Sequence, residues 1–209
     1  MIIIFDLDYT LLDMERLHDK LADIFNKEDF RADYKKYFKD AGVNFDLDKY
    51  FGILRDEGRV DDLREKNLKL EVEKLISRID DYLKVDAENV LKYFKGLGDK
   101  LILITFGNKK WQEEKVKNLS IKKYFDEIIF EEKDKGRGEY LKSLGGGGEE
   151  ILIVNDNFKE IEEMKKILGE KAKALMVEGK YNKGARPHIK DLQELIPEEK
   201  RQENIINLR

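Results

Sequence analysis

Two aspartates near the start of the chain, Asp6 and Asp8, are the residues whose type and spacing most directly suggest chemistry. They follow the apolar run at residues 2–5, which predicts a short buried strand. Side chains two residues apart in an extended strand share a face. Where the chain leaves the strand, the second carboxylate can instead swing over while its backbone carbonyl faces the first. Paired acids beside an oxygen-rich pocket suit a hard cation such as Mg²⁺, which takes few protein ligands and keeps bound water. The segment therefore predicts a metal-assisted reaction carried out by carboxylates.

The composition excludes several other kinds of site. Cysteine is absent from the 209 residues, which rules out disulfides, thiolate metal sites and a cysteine nucleophile. The two histidines, His18 and His188, are too few and too far apart for a histidine-rich zinc centre. A net charge of −4 with both signs interleaved argues against a nucleic-acid-binding surface. No apolar run approaches the roughly 18 residues of a membrane helix, and the first one is too short for a signal peptide. We therefore expect a cytoplasmic protein that binds neither nucleic acid nor membrane.

Five short apolar runs predict the strands that position the candidate residues, at 2–5, 101–104, 127–130, 151–154 and 174–177. They are continuous rather than alternating, which is typical of strands covered on both faces. Stretches with helical periodicity separate the last four runs. This alternation of strand and helix predicts an α/β fold with a doubly wound parallel sheet. Open sheets of this kind bind ligands at the carboxyl ends of their strands, which is where Asp6 and Asp8 fall.

The segment between the first two predicted strands, residues 14–95, has helical periodicity throughout. Its apolar and aromatic residues recur three or four positions apart, as in the stripes that begin at Leu17, Phe30, Leu47 and Leu68. Packing inside a helical bundle accounts for these stripes without any ligand. We therefore predict an all-helical domain at 14–95, inserted into a core formed by residues 1–13 and 96–209.

The sequence DLDYT at residues 6–10 resembles the first signature of the haloacid dehalogenase-like superfamily, Asp-x-Asp-x-Thr. A Thr or Ser that ends the next core strand is the second signature, and Thr105 matches it. A lysine after the following strand is the third, with Lys133 and Lys135 both available. An acidic cluster after the next strand is the fourth, matched by Asp156 and Glu160. All four occur in order at predicted strand ends, and the resemblance covers essentially the whole chain.

The resemblance implies a Rossmann-like core with strand order 3-2-1-4-5 and a helical cap of the family's first type. It further implies a magnesium-dependent phosphatase in which Asp6 becomes phosphorylated and Asp8 acts as general acid and base. Mg²⁺ would be held by Asp6, the Asp8 carbonyl and Asp156, with Glu160 nearby. Thr105 would bind a phosphoryl oxygen, and Lys135, or alternatively Lys133, would neutralise its charge. The substrate-binding residues implied are Thr105, Asn108 and His18.

Two departures from the family pattern keep other functions open. The fourth signature usually opens Gly-Asp or Asp-Asp, but here Asn155 precedes Asp156, and Glu160 stands where a second Asp is usual. A catalytically lapsed module that binds a phosphorylated ligand or a protein is therefore one alternative. A phosphomutase is another, for which His18 is the only hint. The leading hypothesis is a monomeric or homodimeric hydrolase of a small phosphorylated metabolite, such as a sugar phosphate, glycolate phosphate or nucleotide.

Overall fold

The computed structural model describes residues 1–132, 134–182 and 188–201, with only the helical backbone described at 134–137. Five strands form one sheet in the order β3-β2-β1-β4-β5, as predicted. β1 is central, and Phe5 is in register with Leu103 of β2 and with Val154 of β4 in parallel pairs. The strands are β1 (Ile2–Phe5), β2 (Lys100–Phe106), β3 (Glu127–Glu131), β4 (Ile151–Asn155) and β5 (Ala172–Met176). The carboxyl ends of β1, β2 and β4 therefore lie side by side.

The main difference from the predicted strands is at β5. It begins two residues earlier than the apolar pattern indicates, because Ala172 and Lys173 already pair with Ile151 and Leu152 of β4. The side chain of Lys173 is exposed and forms an ion pair with Glu150 across the sheet edge. Strand pairing by the backbone thus extends over a polar residue at this edge, where hydrophobic periodicity carries no signal.

Eight α-helices occur in the described part of the chain. Four of them begin at a residue with a capping side chain; Asp46, Asp61, Asn108 and Asn157 each accept a hydrogen bond from a backbone N–H in the first turn of the helix that follows. The helices are α1 (Met14–Phe25), α2 (Lys27–Tyr34), α3 (Leu47–Asp56), α4 (Asp62–Ser77), α5 (Ala87–Gly96), α6 (Lys109–Asn118), α7 (Asp134–Gly145) and α8 (Phe158–Leu168).

Tertiary contacts divide the chain into two compact units. The sheet unit comprises residues 1–13, 83–105 and 121–209, and the helical unit comprises 14–82 and 106–120. α5 thus belongs with the sheet and α6 with the helices, whereas the amphipathic pattern had suggested a division at residues 13 and 96. Periodicity identifies which face of a helix is buried but not the element that covers it, so the predicted domain boundaries remain a prediction.

In the sheet unit, both faces of β1 are buried. Ile2 and Ile4 belong to a core cluster that includes Leu141 of α7 and Met164 of α8. On the other face, the ring of Phe5 lies 6.4 Å from that of Phe94 in α5. Coverage on both faces explains why the strand sequences are continuously apolar. It also means that a polar side chain attached to this strand can reach a ligand only beyond its carboxyl end, where Asp6 follows.

In the helical unit, the core is aromatic. The ring of Phe25 lies 5.1 Å from that of Tyr50 and 5.6 Å from that of Phe30, and Phe45 packs edge-on against Trp111 of α6. These contacts confirm that the aromatic stripes of the sequence are bundle packing. Edge-to-face pairs of this kind add stability beyond the area that they bury.

Candidate active site

Asp6 lies immediately beyond β1, where its backbone N–H continues the ladder by donating to the carbonyl of Val154 at 3.0 Å. Its side chain is largely buried. The Oδ2 atom accepts a hydrogen bond of 3.0 Å from the hydroxyl of Thr10. The same hydroxyl accepts a bond of 3.0 Å from the N–H of Asp156. Thr10 is fully buried, so its hydroxyl joins the ends of β1 and β4 and brings Asp6 and Asp156 together.

The chain turns sharply between Asp6 and Thr10. The carbonyl of Leu7 accepts the N–H groups of both Leu11 and Leu12, which closes the segment into a compact turn. Tyr9 within it has φ of 64°, a left-handed conformation that is uncommon for a residue with a side chain. Strain of this sort persists only where the surroundings hold it and is often found at functional sites. The turn fixes the positions of Asp8 and Thr10 relative to Asp6.

The ring of Tyr9 is held from the other side by residues that follow β5. Lys180 donates to its hydroxyl at 3.1 Å, and the ring of Tyr181 packs edge-on against it with centroids 5.3 Å apart. The loop at residues 177–182, called the β5 loop below, therefore contacts the turn that carries Asp8.

The β5 loop also holds Asp156, the first residue after β4. Asn182 donates to the backbone carbonyl of Asp156 at 2.8 Å, and the N–H of Tyr181 donates to its Oδ2 at 3.3 Å. Gly179 passes so close that a Cβ atom there would lie 2.5 Å from the Asp156 side chain. No residue larger than glycine fits without displacing that carboxylate. Asp156 is accordingly 2% exposed and oriented from two directions.

Glu160, in the first turn of α8, is held by two asparagine amides. Asn155 donates to its Oε2 and Asn157 to its Oε1, each at 3.1 Å. Asn155 in turn accepts the N–H of Asn157 at 2.7 Å. The two departures from the family pattern, Asn155 and Glu160, are therefore hydrogen-bonded to each other. A carboxylate at a helix N-terminus is also stabilised by the helix dipole.

The electrostatics of the site are those of crowded acids. Burial raises the pKa of Asp6 well above its ordinary value, and the carboxylates of Glu160, Asp156 and Asp8 raise it further. Burial also raises the pKa of Asp156 to about 6. The N–H of Tyr181 and the ammonium of Lys84 oppose this shift. Crowding of buried carboxylates disfavours their charged forms unless a cation is present.

We predict that the contribution of Asp156 to the stability of the metal-free protein falls as pH rises from about 4 to about 6. The folded-state pKa of Asp156 is raised above its unfolded value, so the native state binds more protons in this window and loses stability as they dissociate. A shift of about two units costs about 3 kcal/mol once ionisation is complete. Asp156→Asn keeps an acceptor for Tyr181 and removes the charge, so near neutral pH it should be more stable than wild type by up to that amount.

Urea denaturation of both proteins in EDTA, at about pH 4 and about pH 7, measures this difference. The two proteins should be nearly equally stable at the lower pH. If wild type matches Asp156→Asn at both pH values, the carboxylate of Asp156 is not destabilising.

The structure describes the side chain of Thr105 but not those of the two candidate lysines, Lys133 and Lys135. Thr105 is fully buried near the end of β2, and its hydroxyl has no hydrogen-bond partner within the described part of the chain. An unpaired buried hydroxyl costs free energy and suits a ligand oxygen. Lys133 lies outside the described residues. Lys135 falls in the first turn of α7, and its side chain is likewise outside them.

Asn108 and His18 both belong to the helical unit. Asn108 caps α6 by accepting the N–H of Trp111 at 2.9 Å and donates to Asp46 at 3.0 Å. His18 is half-buried, and its ring lies 5.3 Å from that of Tyr34. These contacts give each residue a structural role, and a substrate-binding role for either stays a prediction.

Three contributors to the site had no assigned role in the sequence analysis. Thr10 was read only as part of a signature, although its hydroxyl bridges two strand ends. The β5 loop and Lys84 were not identified at all. The GKYN sequence at 179–182 lacks any motif that we could read as catalytic, and Lys84 sits inside the predicted insertion. Only the folded chain places them beside Asp156.

The residues present fit a magnesium ion of the kind that the sequence suggests. No three acidic or histidine side chains form a preformed metal-binding group within residues 1–132, 134–182 and 188–201. Mg²⁺, however, commonly takes only one or two carboxylates and completes its shell with carbonyls and water. Asp6 and Asp156 are two buried carboxylates linked through one hydroxyl, and burial together with neighbouring carboxylates raises the pKa of each. A divalent cation would relieve that repulsion.

Comparison with known families assigns the chain to one of them. The sequence profile of the haloacid dehalogenase-like hydrolases matches residues 3–169, which include Asp6, Thr105, Asp156 and Glu160. The chain therefore belongs to the haloacid dehalogenase-like hydrolase family, whose members are hydrolases such as phosphatases, together with phosphomutases, and generally use Mg²⁺. No curated protein matches the chain significantly.

Solved structures with the same fold span nearly the whole chain. A candidate β-phosphoglucomutase from Thermotoga maritima is 20% identical, with a TM-score of 0.63 over 96% of this chain and 98% of its own. A predicted phosphoglycolate phosphatase from Haemophilus somnus is 15% identical, with a TM-score of 0.55 over 93% and 96%. The candidate hydrolase YfnB from Bacillus subtilis, solved with magnesium bound, is 16% identical, with a TM-score of 0.57 over 93% and 96%. At these identities the likeness establishes the fold alone.

The described helices include none that is both long enough and apolar enough to span a bilayer.

Proposed function

We propose that this protein is a magnesium-dependent phosphatase of small phosphomonoesters that works through a phosphorylated Asp6. The observation that carries the proposal is the pair of buried carboxylates, Asp6 and Asp156, that share the hydroxyl of Thr10 at the ends of adjacent strands. The hydroxyl of Thr105 on the neighbouring strand, which has no partner among the described residues, supports it, because a phosphoryl oxygen would satisfy that group.

In the first half of the reaction, an oxygen of Asp6 attacks the phosphorus of the substrate. The bond from phosphorus to the alcohol oxygen breaks as the bond to Asp6 forms, and Asp8 donates a proton to the departing oxygen. The bond from Thr10 to Oδ2 of Asp6 fixes the carboxylate plane during this step. Thr105 donates to a phosphoryl oxygen. Mg²⁺ would be held by Asp6, the Asp8 carbonyl and Asp156, and when bound it supplies charge neutralisation for the phosphoryl oxygens.

In the second half, water cleaves the phosphorylated Asp6. Asp8, now ionised, takes a proton from the water as its oxygen attacks phosphorus, and the Asp6 carboxylate leaves. Orthophosphate is released and both aspartates return to their starting states. Glu160 is held by two amides, which supports a role as a fixed negative charge that acts on the ion through water.

No specific observation among the described residues favours either alternative, the phosphomutase or the catalytically lapsed module. The phosphomutase hypothesis rested on His18, whose ring packs against Tyr34. The lapsed-module hypothesis rested on Asn155 and Glu160, which form one hydrogen-bonded group beside Asp156. Glu160 keeps the negative charge of the usual Asp, and Asn155 leaves the Asp156 carboxylate in place, which favours an active enzyme.

Turnover by the purified chain tests the proposal. A generic aryl phosphate and a panel of small phosphomonoesters that includes hexose 1-phosphates should release orthophosphate with Mg²⁺. Chelation by EDTA should reduce the rate by at least about 100-fold, since the ion contributes several kcal/mol to such reactions. Transfer of phosphate to a second hydroxyl of the sugar, rather than release, would identify a mutase instead. Absence of any metal-dependent turnover across the panel would reject both enzymatic hypotheses.

A further inference from the structure

Lys84 is hydrogen-bonded to two of the loops that form the candidate site. Its backbone N–H donates to the carbonyl of Leu11 at 2.8 Å, in the turn that follows β1. Its ammonium donates to the backbone carbonyl of Glu178 at 3.0 Å, in the β5 loop. An adjacent bridge between Leu12 and Leu83 holds the two segments together. The position of Lys84 is therefore set by the same backbone that positions the aspartates.

Two of the four carboxylates that interact with the Lys84 ammonium, those of Asp156 and Asp6, belong to the candidate site. Burial lowers the pKa of the Lys84 ammonium, and the carboxylates of Asp156, Asp13, Glu178 and Asp6 oppose that shift. The interaction with Asp156 is reciprocal, because Lys84 lowers the pKa of that carboxyl. The side chain is half-buried, so these interactions are less screened than those of a surface lysine. The β5 loop that receives the ammonium is also the one that donates to the Asp156 carboxylate.

The negative charge of the site and substrate together exceeds what one divalent ion can offset, so a further cation such as Lys84 would have a function. Four carboxylates, those of Asp6, Asp8, Asp156 and Glu160, lie within mutual electrostatic influence. A phosphomonoester brings up to about two further negative charges near neutral pH. One divalent ion offsets only part of this total, and phosphoryl transfer depends on offsetting the rest.

We propose that Lys84 is a charge-compensating residue of this site, which offsets Asp156 and Asp6 so that an anionic phosphoryl group can bind among the carboxylates. It would share this task with the lysine predicted at 135 or 133. The inference rests on the proposed function. It differs from a purely structural tether, in which Lys84 would serve only to join the two loops.

Separate measurements of Mg²⁺ and orthophosphate binding distinguish these roles, because loss of a positive charge acts on the two ligands with opposite sign. In Lys84→Met we expect orthophosphate affinity at saturating Mg²⁺ to fall about tenfold, while Mg²⁺ affinity rises about threefold. Lys84→Arg keeps the charge and should restore both values. Calorimetric titration of the purified chain near neutral pH provides them. Lys92→Met, a change at an exposed lysine of α5 that pairs with Glu88, is the matched control and should alter neither affinity.

Lys84→Gln keeps a side-chain donor for the Glu178 carbonyl and removes only the charge, so it decides the matter if Lys84→Met fails to fold. A parallel fall in both affinities would show a tether and overturn the inference, as would unchanged orthophosphate affinity. If wild type binds neither Mg²⁺ nor orthophosphate, the proposed function itself fails. If wild type binds both Mg²⁺ and orthophosphate, but Lys84→Met and Lys84→Gln do not shift the two affinities in opposite directions, only the role of Lys84 is rejected and the proposed function stands.

Discussion

Asp6→Asn should abolish phosphatase turnover, with kcat lowered by at least about 10⁴-fold, because an amide cannot serve as the nucleophile and such residues carry much of the rate enhancement. The substitution is nearly isosteric, and the new side chain still offers an oxygen to the hydroxyl of Thr10. The variant should therefore fold normally. Without metal it should be at least as stable as wild type, because a buried carboxylate with a raised pKa has been removed.

Initial rates with an aryl phosphate and Mg²⁺, together with thermal unfolding in EDTA, test both expectations. Glu163→Gln is the matched control, since it removes a carboxylate from a partly exposed position on α8 that pairs only weakly with Lys159. Its activity should equal that of wild type. Residual turnover in Asp6→Asn above about one per cent of wild type would rule out Asp6 as the nucleophile.

Asp8→Asn should lower kcat by about 10²- to 10⁴-fold, the range for loss of a general acid and base. The backbone carbonyl proposed as a metal ligand is unchanged, so Mg²⁺ affinity should stay close to that of wild type. With an aryl phosphate, whose leaving group needs little protonation, the first step should suffer less than the second. The phosphorylated form of Asp6 should then accumulate in this variant.

Intact-mass measurement after an acid quench detects that form as the addition of one phosphoryl group, and titration with Mg²⁺ gives the metal affinity. The double variant with Asp6→Asn provides the control and should acquire no phosphoryl group. If Asp8→Asn turns over as fast as wild type, Asp8 is not the acid and base. If instead Mg²⁺ binding is lost, the side chain of Asp8 acts on the ion and its assigned role is wrong.

The sheet was predictable because its signals are local. Apolar runs of four or more residues, rich in isoleucine and leucine, identify strands buried on both faces, and their alternation with helices restricts the topology to parallel crossovers. The strand order agreed with the expected one. The polar start of β5 at Lys173 did not follow from the pattern, because an edge position tolerates an exposed side chain that pairs only through its backbone.

The division of the chain into two units was harder to predict from the sequence than the sheet. α5 and α6 both have amphipathic sequences, yet contacts place the first with the sheet and the second with the other helices. An apolar stripe specifies that a helix face is covered, and many partners satisfy that requirement equally well. Which partner covers the apolar face of a helix depends on where the neighbouring elements, such as β2 and α5, begin and end in the folded chain.

By itself, the sequence determined the family, the sheet and the identity of Asp6, Asp8, Thr105 and Asp156 as candidates, because each is a short pattern attached to a strand end. Tertiary structure alone decided how those carboxylates are held. The hydroxyl of Thr10 joins Asp6 to Asp156, and the β5 loop encloses Asp156. Lys84, from a distant part of the chain, donates to the β5 loop and interacts with the carboxylates of Asp6 and Asp156. The physical reason is that hydrogen bonds and charge interactions act through space, so residues without any common sequence spacing can determine the same carboxylate's orientation and pKa.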